Sequence, residues 1–403
     1  MAVFDATTEM PRADPPDQIA VDCLFMRGGS SRGGFFLESD LPADPRERAA
    51  LLLALYGSPD LRQIDGIGGA DALTSKAAVI GPSTHPDADL DYTFYQIGID
   101  RAQVSTGGNC GNMLSAVGSF GVLKGLITAQ EPEVVVRVHV TNIGQIVTLR
   151  QPVHDGFPQI DGDTCIPAVP GTGAEILIDF GNCAGSLSGR LLPTGSSRDT
   201  IEVAGKQVEV SFVDAATPFV FVTAQDLGAT GTELPAQISA DPSLMEALEA
   251  IRGWAAVVLG RVSSPEEARK ITPNVPRVIM VNSPQAYVTS SGGAVGLDDL
   301  DLCVRQLAMQ KPHNALAVTG AVCTAVAARV PGSVVNAFSG SDTAETRLGH
   351  PGGVLRVSAI VENAEPEPLV RSATINRTAR LIMQGRLFAP RKRVSQLLPL
   401  VEI

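Results

Sequence analysis

No C-x-x-C pair occurs in this chain, and none of its six cysteines (23, 110, 165, 183, 303, 323) stands near a histidine at zinc-finger spacing. Histidine itself is scarce, with five residues. Zinc modules and disulfide frameworks are thereby excluded, and every cysteine but Cys110 reads as a buried small hydrophobe in a reducing cytoplasm. No G-x-x-x-x-G-K-[ST] is present, because Lys76 follows Leu73-Thr74-Ser75, and no G-x-G-x-x-G links a strand to a helix. No metal and no cofactor are therefore expected. Positive charge is also short: 31 Lys and Arg stand against 43 Asp and Glu, a net charge of −12. That argues against a nucleic-acid partner or an anionic membrane surface, while leaving room for a locally basic site. Apolar runs are too short or too glycine-broken to cross a bilayer. The opening MAVFDATTEMPRADPPDQ has no apolar signal core and reads as a flexible extension over 1–18 of a cytoplasmic protein. Aromatics make up 4% of the chain, so the core must come from Val, Ile, Leu and Ala.

What the chain has in quantity is glycine, 40 residues, with 28 prolines and no fixed period. Its 403 residues suggest two domains. IAVDCLFMRGGSSRGGFFL reads as strand, glycine turn, strand. RERAALLLALYG reads as a short amphipathic helix ended by Gly57, and ADPSLMEALEAIRGWAAVVLG as an exposed helix capped by Asp241-Pro242. Buried small-residue helices are expected over 109–127 and 313–330, and a further helix over DDLDLCVRQLAMQ. Strands do not alternate regularly with long helices, which disfavours a doubly wound fold. The expectation is an α+β chain of two pseudo-duplicated domains, 19–188 and 189–403, each a sheet around a central helix, with the last segment free to pack back on the first domain.

Four glycine-rich stretches mix glycine with a hydroxyl, an amide, a cation or a thiol: MRGGSSRGG, DGIGGADALTSK, GGNCGN and RLGHPGG. Such loops can grip carboxylates through backbone N–H groups and short side chains. Gly28, Ser30 and Ser31 lie in the first, Gly69 and Ser75 in the second, and Asn109, Gly111 and Asn112 in the third. Cys110 stands at a helix start, where the electropositive backbone favours a thiolate. Lys76 leads into the apolar AAVI, where partial burial lowers an amine's pKa. His313 and His350 border these stretches as supporting groups. His139 reads as structural, and His85 and His154 as solvent-facing. One proton carrier on each face of a planar substrate is what a proton shift between carbons requires, so the residues point to an acid–base isomerase acting beside a carboxylate.

FMRGGSSRGGFFL, QIDGIGGADALTSK, GNCGNMLSAVG, LLPTGSSRD, MQKPHNALAVTGA, ARVPGSVVN, RLGHPGG and RTARLIMQG together resemble the PrpF family over about Asp22 to Pro390. The family comprises 2-methylaconitate cis–trans isomerases and relatives that include 4-oxalomesaconate tautomerase and methylitaconate Δ-isomerase. The resemblance implies a diaminopimelate-epimerase-like fold with the site in the cleft between two domains. It implies Cys110 and Lys76 as catalytic residues, and Arg27, Gly28, Ser30 and Ser31 as a carboxylate-gripping loop. It also implies that Arg347 and His350 face the same cleft. Two departures stand out. His350-Pro351-Gly352-Gly353 lacks the serine common after the proline, and Thr106-Gly107 replaces a bulkier polar or acidic neighbour.

The favoured function is a cofactor-independent isomerase of a small unsaturated di- or tricarboxylate, with a homodimer left open. Two alternatives are an amino-acid epimerase of the same fold and a non-catalytic binding protein. The epimerase needs two opposed thiols, and Cys323 lies inside an apolar helix where it reads as core.

Overall fold

The computed structural model describes residues 15–181, 183–339, 343–364 and 367–403. Residues 1–14 of the expected extension lie outside them.

The chain builds one strand sequence twice. In the first half, β1 (Gln18–Gly28) and β2 (Ser31–Leu37) form an antiparallel hairpin, and β3 (Lys76–Pro82) joins β2 in parallel. β4 (Leu90–Ile97) is antiparallel to β3, and β5 (Glu133–Val140) is parallel to β4. β6 (Gln145–His154) and β7 (Ile176–Asp179) follow, antiparallel.

In the second half, β8 (Asp199–Val203), β9 (Lys206–Ala215) and β10 (Thr217–Thr223) are antiparallel neighbours, and β11 (Arg277–Asn282) joins β10 in parallel. β12 (Leu302–Ala308) is antiparallel to β11, and β13 (Glu345–His350) is parallel to β12. β14 (Gly353–Glu362) and β15 (Leu369–Arg377) complete the run, antiparallel. β15 pairs with β7, which joins the halves. β16 (Ala379–Pro390) then returns to pair with β1.

Followed outward from the β7–β15 seam, the pairings match strand for strand, with parallel pairs at the same two places in each half. Lys76, first residue of β3 opposite Gly33, corresponds to Arg277, first residue of β11 opposite Phe219.

Helices repeat as well. Between β4 and β5 lie α2 (Gly111–Leu114) and α3 (Val117–Leu123), and between β12 and β13 lies α5 (Val318–Ala327). Every residue of α5 is buried. These inner helices share one apolar core with the inner faces of both halves, in which each fully buried Val or Leu contributes about 1.5–3 kcal/mol. Outside the sheets, α1 (Pro45–Tyr56) and α4 (Pro242–Val258) each build a separate cluster. Both outer helices start as the sequence signals: Asp44 accepts from Arg46 and Glu47 N–H, Asp241 accepts from Leu244 N–H, and a proline follows each cap. No helix among the described residues is long and apolar enough to cross a membrane.

Five expectations are corrected. Residues 302–308, expected helical, form β12, because pairing with β11 and β13 satisfies the backbone and buries both faces, Arg305 and Gln306 included. The helix expected over 109–127 breaks at Ser115–Ala116, where Ser115 Oγ donates back to Asn112 O at 2.7 Å. The helix expected over 313–330 begins only at Val318, since 313–317 is shaped by the His313 ring accepting Ala315 N–H. α1 is not amphipathic: Ala49 through Tyr56 are all buried, covered by the sheet and by α6 (Arg391–Leu397). Cys165 is exposed; Cys23, Cys183, Cys303 and Cys323 are buried as expected.

Candidate active site

Cys110 occupies the cap position of α2 in an extended conformation, and Gly111 opens the helix. The start of α2 abuts the start of α5. A Cβ on Gly111 would stand 2.4 Å from Val318 Cγ1, so only glycine permits the contact. The cap position of α5 is Ala317. Two helix starts therefore meet, one with a thiol and the other with a methyl group.

Lys76 is 8% exposed at the head of β3. Its Nζ donates to Gln96 Oε1 at 2.7 Å and lies 4.9 Å from the centre of the Phe94 ring. The Tyr56 hydroxyl donates to Lys76 O and accepts Gly34 N–H, which fixes the strand start beneath the amine. Burial pulls the Lys76 pKa below the ordinary lysine value; the nearby Cys110 sulfur opposes that shift and Arg277 adds to it.

Two more cations surround the same sulfur. Arg277 donates from Nε to Asn274 O at 3.0 Å and from Nη2 to Asn274 Oδ1 at 2.8 Å, and its guanidinium lies 6.0 Å from the Phe219 ring centre. Arg377, 2% exposed, donates from Nε to Asn112 Oδ1 at 3.1 Å and from Nη1 to Asn376 O at 2.8 Å. Burial pushes Arg277 down to about 10 and Arg377 down to about 9, each opposed by Cys110.

His313 and His350 complete the circle. His313 is pushed down to about 4 by burial, with Lys76 and Arg277 adding; His350 is pushed down to about 3 by burial, with His313, Arg305 and Arg377 adding. The Nδ1 atoms accept Ala315 N–H and Gly352 N–H, both at 3.0 Å, so each neutral ring carries its proton on Nε2.

Several buried polar atoms at this junction have no protein partner: Ser31 Oγ, both amide atoms of Asn109, Gln306 Nε2 and Thr319 Oγ1. Each such atom costs about 1–3 kcal/mol when left unpaired. They lie at the start of β2, beside Cys110, and around the first turn of α5, where Gln306 Oε1 accepts Ala317 N–H. That is the inventory of a site built to receive a polar ligand. Among the described residues no cluster of three or more His, Cys, Asp or Glu could hold a metal ion.

The family model for the PrpF protein matches residues 18–390. The chain belongs to the PrpF family. It is 42% identical over 381 residues to 3-methylitaconate isomerase of Eubacterium barkeri, covering 94% of this chain and 99% of the relative. It is 40% identical to 4-oxalomesaconate tautomerase of Pseudomonas putida (91% and 96% covered) and 38% identical to 2-methyl-aconitate isomerase of Shewanella oneidensis (93% and 98%). The solved structure of methylitaconate Δ-isomerase superposes with a TM-score of 0.80 at 41% identity, covering 94% of this chain and 97% of that one. A hydroxyproline epimerase from Agrobacterium vitis shares the fold at a TM-score of 0.54 and 14% identity. The two-domain α+β fold expected from the sequence is thus the fold observed, and this PrpF-family chain is an isomerase.

Of the residues singled out from sequence, Cys110, Lys76, Ser31, Asn109, Gly111, Asn112, His313 and His350 converge. Asn112 ties the β1–β2 turn to α2: its Nδ2 donates to Ser30 Oγ at 3.1 Å and its Oδ1 accepts Ser30 N–H. Gly29, at φ +49°, sits where a Cβ would be 2.1 Å from Asn112 Oδ1, and Gly28 presses on the Asn112 carbonyl. Other residues are turned to scaffolding. Arg27 donates to the carbonyls of Gly29 and Thr378 at 2.9 and 3.0 Å. Arg347 pairs with Asp301 at 2.7 Å. The Ser75 hydroxyl donates to Gln63 Oε1, and Gly69 packs on Thr74. His139 pairs with Asp91 at 2.9 Å; His154 is exposed, whereas His85 is half-buried, its ring centre 5.3 Å from that of His139 and tilted 45° to it. Sequence reading missed Arg277, Arg377, Gln306 and Thr319. Arg277 carries one signal, a cation opening the apolar run VIMVN. Arg377 heads the RTARLIMQG motif but has no glycine loop around it.

Proposed function

We propose that this chain isomerises a small unsaturated polycarboxylate by proton transfer through Cys110 and Lys76. The reading rests on one observation: a buried amine and a thiol within electrostatic reach of each other, ringed by unpaired polar atoms and buried cations. One of the two groups removes a proton from a carbon conjugated to a carboxylate or keto group. The C–H electron pair passes into the conjugated system, and the resulting enolate-like charge is stabilised by the surrounding cations and N–H groups. Reprotonation at the far allylic carbon moves the double bond; rotation followed by reprotonation at the same carbon gives cis–trans exchange. Burial of Lys76 favours a neutral amine, which suits it to accept a proton. The relatives support the substrate class, being isomerases of 3-methylitaconate and 2-methylaconitate and a tautomerase of 4-oxalomesaconate.

The test is solvent-deuterium incorporation by NMR with 3-methylitaconate, 2-methylaconitate and 4-oxalomesaconate. Exchange is expected with at least one acid, falling by about 10²–10⁴ in Lys76→Arg, because guanidinium does not deprotonate at usable pH. Absence of exchange with all three, or a Lys76→Arg rate within about threefold of the parent, rejects the reading.

A further inference from the structure

One face of β4 reaches both Cys110 and Lys76. Tyr92, Phe94 and Gln96 alternate along that strand and so point to the same side of the sheet. At one end the Tyr92 hydroxyl donates to Cys110 O at 3.3 Å. The Lys76 amine lies 4.9 Å from the Phe94 ring centre, and at the other end Gln96 Oε1 accepts from Lys76 Nζ at 2.7 Å. Gln96 also stands directly across from Lys76 in the β3–β4 pairing, where facing side chains meet. The strand itself is pinned: Asn142 Oδ1 accepts Phe94 N–H at 2.8 Å, and its Nδ2 donates to Phe94 O at 3.0 Å and to Thr106 O at 2.9 Å.

Chemistry dictates how the Gln96 amide is turned. Its Nε2 donates to Ser75 O at 3.0 Å and to Ala72 O at 3.2 Å, and a carbonyl can only accept. The remaining end is therefore the oxygen, and that oxygen faces the amine. The second half has a methyl group at this place. Val278 pairs with Leu307, which puts Ala308 across from Arg277, so the amide belongs to the half that carries the amine.

We propose that Gln96 is a positioning residue: clamped by two carbonyls of the loop that leads into β3, it holds the Lys76 amine in one place and one direction, and proton transfer depends on that hold. The proposal rests on the proton-transfer reading above and adds to it what aims the amine. A proton moves efficiently only over a hydrogen-bond distance, so an amine free to sweep on its flexible stem loses most of its productive encounters. The same acceptor bonds an ammonium more strongly than a neutral amine, and so supports the charged form. Burial and Arg277 oppose that support, Cys110 and Asp71 add to it, and His313, which feels the Lys76 charge, is neutral. Removing the Gln96 oxygen therefore lowers the Lys76 pKa further.

The test titrates protein carrying lysine labelled at Cε by NMR, the Lys76 signal being assigned by its absence from Lys76→Arg. Gln96→Leu should lower the Lys76 midpoint by about one pH unit, the worth of a charge-assisted hydrogen bond. Gln96→Glu should raise it, because a carboxylate then faces the ammonium. A residue that only stapled the loop would not move the two variants in opposite directions. Gln96→Met should match the leucine variant and guards against its failing to fold. Deuterium exchange is followed across pH with 3-methylitaconate, 2-methylaconitate and 4-oxalomesaconate. Rates at saturation should fall about 10- to 100-fold in the Leu and Met variants with KM within about threefold, and the acid limb of kcat/KM should move down with the Lys76 midpoint. Folded Leu and Met variants whose midpoint stays within about 0.3 units of the parent, or whose exchange stays within about threefold, overturn the proposal. Exchange lost in Lys76→Arg but kept in the Gln96 variants rejects this proposal alone. Exchange kept in Lys76→Arg, or absent from the parent with all three acids, rejects the proton-transfer reading and this proposal with it.

Discussion

The two halves share strand order, strand direction, an inner helix and an outer helix, yet differ at the residues that meet in the middle. The first half offers Lys76 at the head of β3 and Cys110 at the start of α2; the second offers Arg277 at the head of β11 and Ala317 at the start of α5. A thiol and an amine are groups able to carry a proton, whereas a guanidinium and a methyl group are not. Around Cys110 the neighbours are cations. Around the α5 start they are His313, Gln306 and Thr319, all neutral. Duplication thus supplies a symmetric frame, and substitution makes its two centres chemically different: an amine and a thiol in one half, a guanidinium and a methyl group in the other. Cys323 does not restore symmetry, because it lies wholly buried in α5 with its thiol on Val213 O and its pKa raised far up by burial.

The sharpest way to break this comparison is Cys110→Ser. A hydroxyl fits the α2 start but is far less acidic than a thiol. Proton exchange should fall about 10³-fold with an unchanged melting temperature, and exchange within about threefold of the parent would show that the two starts are chemically alike.

Next in size is the contact between the starts. Gly111→Ala places a methyl group 2.4 Å from Val318 Cγ1 and should cost about 1–3 kcal/mol in urea denaturation. Val318→Ala removes Cγ1 but leaves the Val318 Cβ 2.6 Å from the new methyl group, so the double variant should lose somewhat less than the sum of the two single losses; strict additivity would mean that the strain lies elsewhere.

The neutral side can be probed by pH. His313 and His350 have folded values near 4 and 3, against about 6.5 in the unfolded chain. The unfolded chain takes up protons first, so the stabilisation is full above about pH 6.5 and is lost as pH falls toward the folded values. Between pH 7 and 5 each ring should account for about 2 kcal/mol of lost stability. His350→Gln should shrink that loss by about this amount in paired urea titrations, and an unaltered slope would show the ring to be protonated in the fold.

The smallest effect is a null one: Ala317→Cys added to Lys76→Ala should leave exchange within about twofold of Lys76→Ala alone, because the second proton carrier belongs to β3 and not to α5. Rescue by this thiol would make the halves interchangeable.

Much of the site was legible because its signals are local. A glycine–asparagine loop with one thiol runs straight into an apolar stretch, and a lysine heads an apolar strand. Capping by Asp241 was legible for the same reason. Residues 302–308 were misread because a strand covered on both faces needs no alternation, and its charged Arg305 mimics a helical pattern until Tyr287 and three carbonyls are folded around it. Arg27 drew attention through its glycine-rich context, yet one of the two carbonyls that hold it belongs to Thr378, 351 positions away.

By itself the sequence determined the family, the repeated strand-and-helix recipe, the thiol and the amine, since each is written in contiguous residues whose backbone preferences and packing periods act over a few positions. Only the tertiary structure decided which cations are buried near Cys110. An arginine's role depends on whether folding brings it a counter-ion, and that partner is remote in the chain. Asp301 takes Arg347 out of play from 46 residues away. Arg277 and Arg377 are buried near Cys110 with no carboxylate partner among the described residues.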